Sequence, residues 1–209
     1  MGRQSSPGEG LDISADRITV GRRSLRLAEI TGIRYGIVET RVMGVVATDQ
    51  EYTIGLTNGR DTIEIKRHHW FNRGQAEVGF QEMLEALFKP VVQPLLNRLL
   101  ATIASGKGFD LKDPSGVTAD VVHVDKRGLL LKRGKFLGVF GSGERLLPWR
   151  DFHGHAMQNG RLLLAERDQA SDEPKVFVAL SLKDTWNAVC VPPLIDHAYQ
   201  TGVLPGSAT

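Results

Sequence analysis

The chain has 209 residues, enough for one large domain or two domains of about 100 residues each. The net charge is only +2, so the composition does not demand a polyanionic partner, and an anion site has to be a local patch. One cysteine, Cys190, excludes an intramolecular disulfide and a metal site built from several cysteines. No apolar run reaches the length of about 18 residues that suggests a membrane-spanning helix, so we expect a cytoplasmic protein, or one peripheral to a membrane.

The first half of the chain predicts short strands followed by one helix. Residues 1–10 are polar and glycine-rich, which predicts a disordered tail. Alternating residues predict strands at 11–14 and 17–20. Glycines interrupt residues 30–46, which predicts two or three bent strands there. Residues 66–74 are polar and aromatic, which predicts a loop.

A long helix is predicted next, because apolar residues recur at helical spacing from Gln75 to about Ala104. Pro90 and Pro94 fall inside this pattern, and each removes a backbone donor, so they should kink the helix or divide it. Gly106 is a plausible C-terminal stop.

The strand pattern restarts after residues 106–116, which read as a linker. Residues 181–200 predict a last helix, opened by a capping box that pairs Ser181 with Asp184. The strands between the linker and that helix are predicted at 121–124, 129–133, 152–157, 162–166 and 176–180. Asn58-Gly59 and Asn159-Gly160 each predict a tight hairpin, since both residues tolerate positive φ.

One short pattern occurs twice, as Glu29-Ile30-Thr31-Gly32 and as Asp151-Phe152-His153-Gly154. The second copy follows a predicted Pro148-Trp149 corner. Each copy is preceded by a strand pair and followed by more strands and one apolar helix. The sequence therefore predicts two similar units, at 11–105 and 117–203, and a second disordered tail at 204–209.

The second unit resembles a bacterial pleckstrin-homology-like (PH-like) domain. The resemblance lies in residues 124–129, the stretch Leu147 to Phe152 with its Pro-Trp corner, and the helix at 181–200. The first unit is similar, with Ala28-Glu29 in place of Pro-Trp. The resemblance implies an α+β, mainly β fold of two PH-like units. Each would be a bent antiparallel sheet or partly open barrel, capped by a C-terminal helix.

Basic residues cluster in the early loops of both units. In lipid-binding PH domains such loops hold phosphoinositide phosphates, so the resemblance implies an anion or lipid-headgroup site here. Surface solubility is the alternative explanation, favoured by the low net charge. The candidate residues are Arg22, Arg23 and Arg26 in the first unit and Lys132, Arg133, Lys135 and Arg145 in the second.

No catalytic motif appears. His153 and His155 lie two apart on a predicted strand and face the same way, but a metal site would need a third ligand, such as His123, so a solvated face is favoured. Cys190 and His197 are separated by two helical turns, too far for a nucleophile and base pair. We therefore expect no enzyme, metal or cofactor.

The resulting hypothesis is a non-enzymatic protein-interaction or scaffold module that binds another protein or a second copy of itself. The alternative is a peripheral binder of anionic membrane lipid through the basic loops. A third hypothesis is an enzyme or small-ligand carrier with a site between the units. Nucleic acid is not expected, because aromatic residues are not interleaved with the basic ones.

Overall fold

The computed structural model describes residues 11–42, 46–69, 73–112, 121–133, 143–168, 171 and 173–204. These residues form an α+β protein that is mainly β, with four antiparallel sheets and three α-helices. The chain divides into two compact units, residues 1–95 and 96–209. None of the helices within those described ranges has the length and apolar character of a membrane span.

Unit 1 has two three-stranded sheets, in the orders β1-β2-β3 and β4-β5-β6. The ring of Phe80, on the helix that follows, lies 6.1 Å from that of Tyr35 and 5.0 Å from that of Tyr52, so the helix covers the second sheet. The elements are β1 (Leu11–Ile13), β2 (Arg17–Val20), β3 (Arg23–Arg26), β4 (Gly32–Val42), β5 (Val46–Thr57), β6 (Thr62–His69) and α1 (Arg73–Leu87).

Two expectations for unit 1 were wrong. The region of Gly32 and Gly36 forms one strand, β4, because both glycines stay in register with β5, and the bulge lies at Thr40/Arg41 instead. β6 runs to His69, so residues 66–69 are strand and not loop. Residues 66–69 are strand because β6 pairs with β5 along its whole length. The local sequence pattern does not reveal this pairing, since the partner residues 50–57 lie elsewhere in the chain.

The long helix continues past its prolines through a π-helical segment, Phe88–Val92, into α2 (Gln93–Ala104). Pro90 lies inside the π segment. A widened turn relieves the clash that a proline ring makes with the carbonyl four residues earlier. α2 ends where predicted, with Gly106 at φ +80° and its N–H donated to the Ile103 carbonyl. The boundary between the two units falls within α2.

Unit 2 has a four-stranded sheet, β10-β9-β8-β7, and a three-stranded sheet, β11-β12-β13. β7 lies inside the predicted linker, residues 106–116, and pairs with β8. This part of the linker is therefore strand. The elements are β7 (Phe109–Lys112), β8 (Val121–Asp125), β9 (Gly128–Arg133), β10 (Gly143–Pro148), β11 (Phe152–Gln158), β12 (Arg161–Arg167), β13 (Pro174–Ser181) and α3 (Val191–Gln200).

The last helix starts ten residues later than predicted, at Val191 rather than Ser181. The Ser181 hydroxyl accepts from the Asp184 N–H at 3.3 Å, as predicted, and donates to the Asp184 carboxylate at 2.7 Å, but these bonds close a turn. Asn187 then adopts φ +63°, which no helix tolerates. The two prolines after Val191 lie in the first turn of α3, where a missing N–H costs nothing.

Both Asn-Gly hairpins form, by different turn chemistry. Asn159 and Gly160 have φ values of +51° and +70°, the conformation that the sequence predicted. In the first hairpin, of Asn58 and Gly59, only Gly59 has a positive φ, at +89°. There the Asn58 side chain accepts hydrogen bonds from the N–H groups of Arg60 and Asp61 at 2.9 and 2.7 Å.

Candidate functional site: a corner and an open seam in each unit

In both units a short 3-10 turn joins the two sheets, and we call this turn the corner. In unit 1 a 3-10 turn, Leu27–Glu29, joins β3 to β4, and in unit 2 Trp149–Asp151 joins β10 to β11. The first residue of each turn donates its N–H to the hairpin that precedes it: Leu27 to the Asp16 carbonyl and Trp149 to the Arg127 carbonyl. Leu27 and Trp149 therefore occupy equivalent positions. Counting back four residues makes Arg23 equivalent to Arg145.

The corner of unit 2 is filled by Trp149, which is 1% exposed. Its indole N–H donates to the Asp125 carbonyl at 2.8 Å. The rings of Phe152 and Tyr199 meet it edge-on, at 5.6 and 6.1 Å between centroids. Since Tyr199 belongs to α3, the indole links the first sheet, the corner and the covering helix.

Asp125 holds the turn that supports this indole. Its carboxylate accepts from the Arg127 backbone N–H at 2.7 Å and from the guanidinium at 2.7 and 3.0 Å. Burial by itself raises the pKa of the Asp125 carboxyl, but the side-chain and backbone hydrogen bonds from Arg127 outweigh it and lower the pKa below its ordinary value. The Asp125 carboxylate is therefore ionised at neutral pH.

We predict that Asp125→Asn lowers stability at neutral pH and that the loss shrinks in acid. Because the pKa of the Asp125 carboxyl is lower in the native state than its unfolded value of about 3.9, the ionised carboxylate stabilises the fold above that pH. This stabilisation is lost as the pH falls through the native pKa. Urea midpoints measured from pH 7 to pH 2 should show the two proteins converging below about pH 4. Asp12→Asn, at an exposed strand position, is the matched control and should follow the wild type throughout. A constant difference at every pH would contradict the role of the charge.

A cleft opens beside the corner of unit 2, and we call it seam 2. It has a volume of about 340 Å³ and lies between β10 and the end of the β12–β13 hairpin. Within the described ranges β10 pairs only with β9 and β13 only with β12, so both walls are edge strands. The lining residues are Arg145, Leu146, Leu147, Pro148, Asp151, Glu166, Arg167, Asp168 and Lys175.

An arginine bridges seam 2. Arg145 forms an ion pair with the buried carboxylate of Glu166 on β12. Its guanidinium carbon also lies 5.1 Å from the ring centroid of Phe177 on β13, a cation–π contact. Arg145 thus spans from one sheet to the other.

The equivalent cleft of unit 1, seam 1, lies between β3 and the start of β6. Its volume is about 570 Å³, and its residues are Arg23, Ser24, Leu25, Arg60, Asp61, Thr62 and Ile63. Here Arg23, the equivalent of Arg145, donates to the Thr62 carbonyl at 3.4 Å. Both units therefore carry an arginine across the same opening.

The predicted anion-site residues that can be described have different positions and partners. Arg23 and Arg145 lie on edge strands rather than in loops, and Arg145 is committed to Glu166. Arg22 lies in the exposed β2–β3 turn, and Arg26 forms an exposed ion pair with Glu29 at 3.7 Å. Lys132 and Arg133 lie on β9, and Lys135 is outside the described residues. The anion-site hypothesis stays a prediction.

No family model, curated protein or solved structure matches this chain. Similarity therefore assigns neither a family nor an activity, and the function has to be inferred from the geometry.

The histidines have separate partners. His155 lies 3.0 Å from the Asp196 carboxylate on α3, and His123 lies 2.7 Å from that of Asp110 on β7. A bulge at Phe152/Gly154 interrupts the alternation that was to align His153 with His155. Among the residues that can be described, no three His, Cys, Asp or Glu side chains converge as metal ligands.

Cys190 is buried at the N-terminal end of α3, in the 3-10 turn Ala188–Cys190. Burial raises the pKa of its thiol to about 12. A thiol of this kind stays protonated at neutral pH, so it serves as a small packing residue and not as a nucleophile.

Proposed function

We propose that this protein is a non-enzymatic interaction module whose two PH-like units each accept an extended segment of a partner protein at the open seam. The order of elements supports the PH-like assignment. Among the described residues, unit 2 has a four-stranded sheet, a three-stranded sheet and α3, and unit 1 has two three-stranded sheets and α1, while α2 crosses the boundary between the units. Two sheets that meet at one corner and leave a gap between their edge strands make a partly open barrel.

The recurrence of the seam carries the proposal. Among the described residues, the same two edge strands stay unpaired in both units, and both units place an arginine across the gap from the same position. An edge strand offers a row of backbone donors and acceptors to an incoming strand. An opening at the same place in both units favours a partner that fills it.

The apolar residues beside seam 2 favour a polypeptide as the partner. Leu146 on β10 is 42% exposed and Val176 on β13 is 54% exposed. They lie on the two strands that form the walls of the seam. In strand addition the backbone bonds supply affinity, and exposed apolar side chains of this kind supply contacts with alternate side chains of the added strand.

We predict that charges at the seam block binding. Peptides selected from a random-sequence display library on the full chain should protect amides of β10 from hydrogen exchange. Leu146→Lys and Val176→Lys should each weaken those peptides by about tenfold or more, because a lysine on an edge strand opposes strand addition. Calorimetric titration of the selected peptides measures this loss.

Met157→Lys is the matched control. Met157 is 52% exposed on β11, which is also an edge strand but does not line the seam. The control should bind like the wild type. A library that yields no binder, or a Met157→Lys variant as impaired as Leu146→Lys, would count against the seam. Sedimentation of the full chain, with and without Leu146→Lys, tests a second copy as the occupant.

A further inference from the structure

Unit 1 has an apolar groove at the position that Trp149 fills in unit 2. The groove has a volume of about 800 Å³ and lies between the β1–β2 turn, the 3-10 turn of the corner and the π-helical segment. We call it the Leu27 groove. Its walls include Ser14, Leu27, Ala28, Lys89, Pro90 and Pro94.

The two corners correspond in the order and hydrogen bonds of their residues along the chain. Each 3-10 turn is closed by the same backbone bond, Ile30 N–H to Leu27 and Phe152 N–H to Trp149. Ile30 and Phe152 are both buried. Ser14 of the β1–β2 hairpin therefore corresponds to Asp125, whose carbonyl accepts the indole N–H in unit 2.

The residue that fills the corner differs in size and burial between the two units. Trp149 is buried against Tyr199 of the covering helix, whereas Leu27 is only half-buried. A leucine is smaller than an indole and has no N–H donor. The prolines of the helical segment also bring no N–H groups to the opposite wall, so that wall is apolar. The groove is thus an unfilled version of the unit 2 corner.

The rim of the groove carries an exposed lysine, Lys89. Arg26 also lies on the rim but pairs with Glu29 at 3.7 Å, and one acid, Asp16, lines the groove. Lys89 can approach a ligand that lies in the groove. This charge favours a segment with acidic residues beside its apolar anchor.

We infer that the Leu27 groove binds a tryptophan side chain from an acidic segment of a partner protein. The partner's indole takes in unit 1 the place that the Trp149 indole takes in unit 2. Its apolar ring lies against Leu27 and Pro90, and its N–H lies beside the Ser14 carbonyl. The inference rests on the proposed function as an interaction module and names the chemistry of a second contact, separate from the seam.

The test uses the full chain and a fluorescein-labelled peptide with one tryptophan between two pairs of glutamates. Fluorescence anisotropy should show saturable binding, and amide shifts should map to Leu27, Ala28 and Lys89. The same peptide with alanine in place of tryptophan should not bind. Leu27→Trp fills the groove from within and should lower affinity about tenfold or more.

Val78→Trp is the matched control, because Val78 is 58% exposed on α1 and a tryptophan there leaves the groove unchanged. Lys89→Glu is a second probe that alters only an exposed rim residue. It should weaken the glutamate-flanked peptide and strengthen a lysine-flanked one. No binding by the wild type, or equal binding by Leu27→Trp and wild type, would overturn the inference. Neither result affects the Leu146→Lys test, so the seam can fail or survive independently.

Discussion

Replacing Trp149 by alanine should lower the free energy of unfolding of unit 2 by about 3–5 kcal/mol. The side chain is 1% exposed, so its removal leaves a large cavity where the first sheet, the corner and α3 meet. It also leaves the Asp125 carbonyl without its 2.8 Å donor. Because native domains are stable by only about 5–15 kcal/mol, a loss of this size removes a large share of the total.

Urea denaturation followed by far-ultraviolet circular dichroism measures the loss, and hydrogen exchange assigns it to unit 2. The two units need not unfold in one step, so the exchange data are required to separate them. Leu27→Ala is the matched control, since it truncates the equivalent position of unit 1. Leu27 is half-buried, so its loss should be smaller. Equal losses at the two positions would contradict the different filling of the two corners.

Local chemistry explains which parts of the fold the sequence predicted. The Asn-Gly turns and the C-terminal stop at Gly106 depend on residues next to each other, and they form where they were predicted. The late start of α3 was missed because the left-handed Asn187 overrides a local capping signal. β7 was missed because its strand character depends on pairing with β8, across residues that read as a linker.

The candidate site also has parts that the sequence shows and parts that it does not. The sequence shows a repeated spacing of an arginine, a leucine two residues later, the corner residue two residues after that, and then an acid and an apolar residue. It could have aligned Arg23 with Arg145. The partners of these arginines could not be predicted, since Thr62 and Glu166 lie on other strands, 39 and 21 residues away. Without the partners both arginines read as loop charges available to an anion.

The two units fill the same corner position with different side chains. Unit 2 closes its corner with its own tryptophan, whereas unit 1 leaves that space open behind Leu27. Both units have the seam, but they differ at the corner and in the additional strand β7 of unit 2.

Gly128→Ala should lower the stability of unit 2 by about 2–4 kcal/mol. Gly128 has φ +154°, which residues with a side chain rarely adopt. An added Cβ would collide with the Leu147 carbonyl oxygen and lie 2.8 Å from the Leu147 carbonyl carbon and 2.9 Å from the Pro148 Cα. All three are backbone atoms of β10, so no side-chain rotation relieves the collision. β9 and β10 would have to separate directly before the Trp149 corner.

Gly154→Ala is the matched control, because a Cβ there meets nothing within 4 Å and its φ is not positive. Its stability should stay within about 0.5 kcal/mol of the wild type. Urea midpoints compare the two variants, and hydrogen exchange should show β10 amides opening in Gly128→Ala alone. Since β10 is also a wall of seam 2, this variant should lose seam binding along with stability. A Gly128→Ala protein as stable as Gly154→Ala would show that β9 and β10 do not approach as closely as the structure has them.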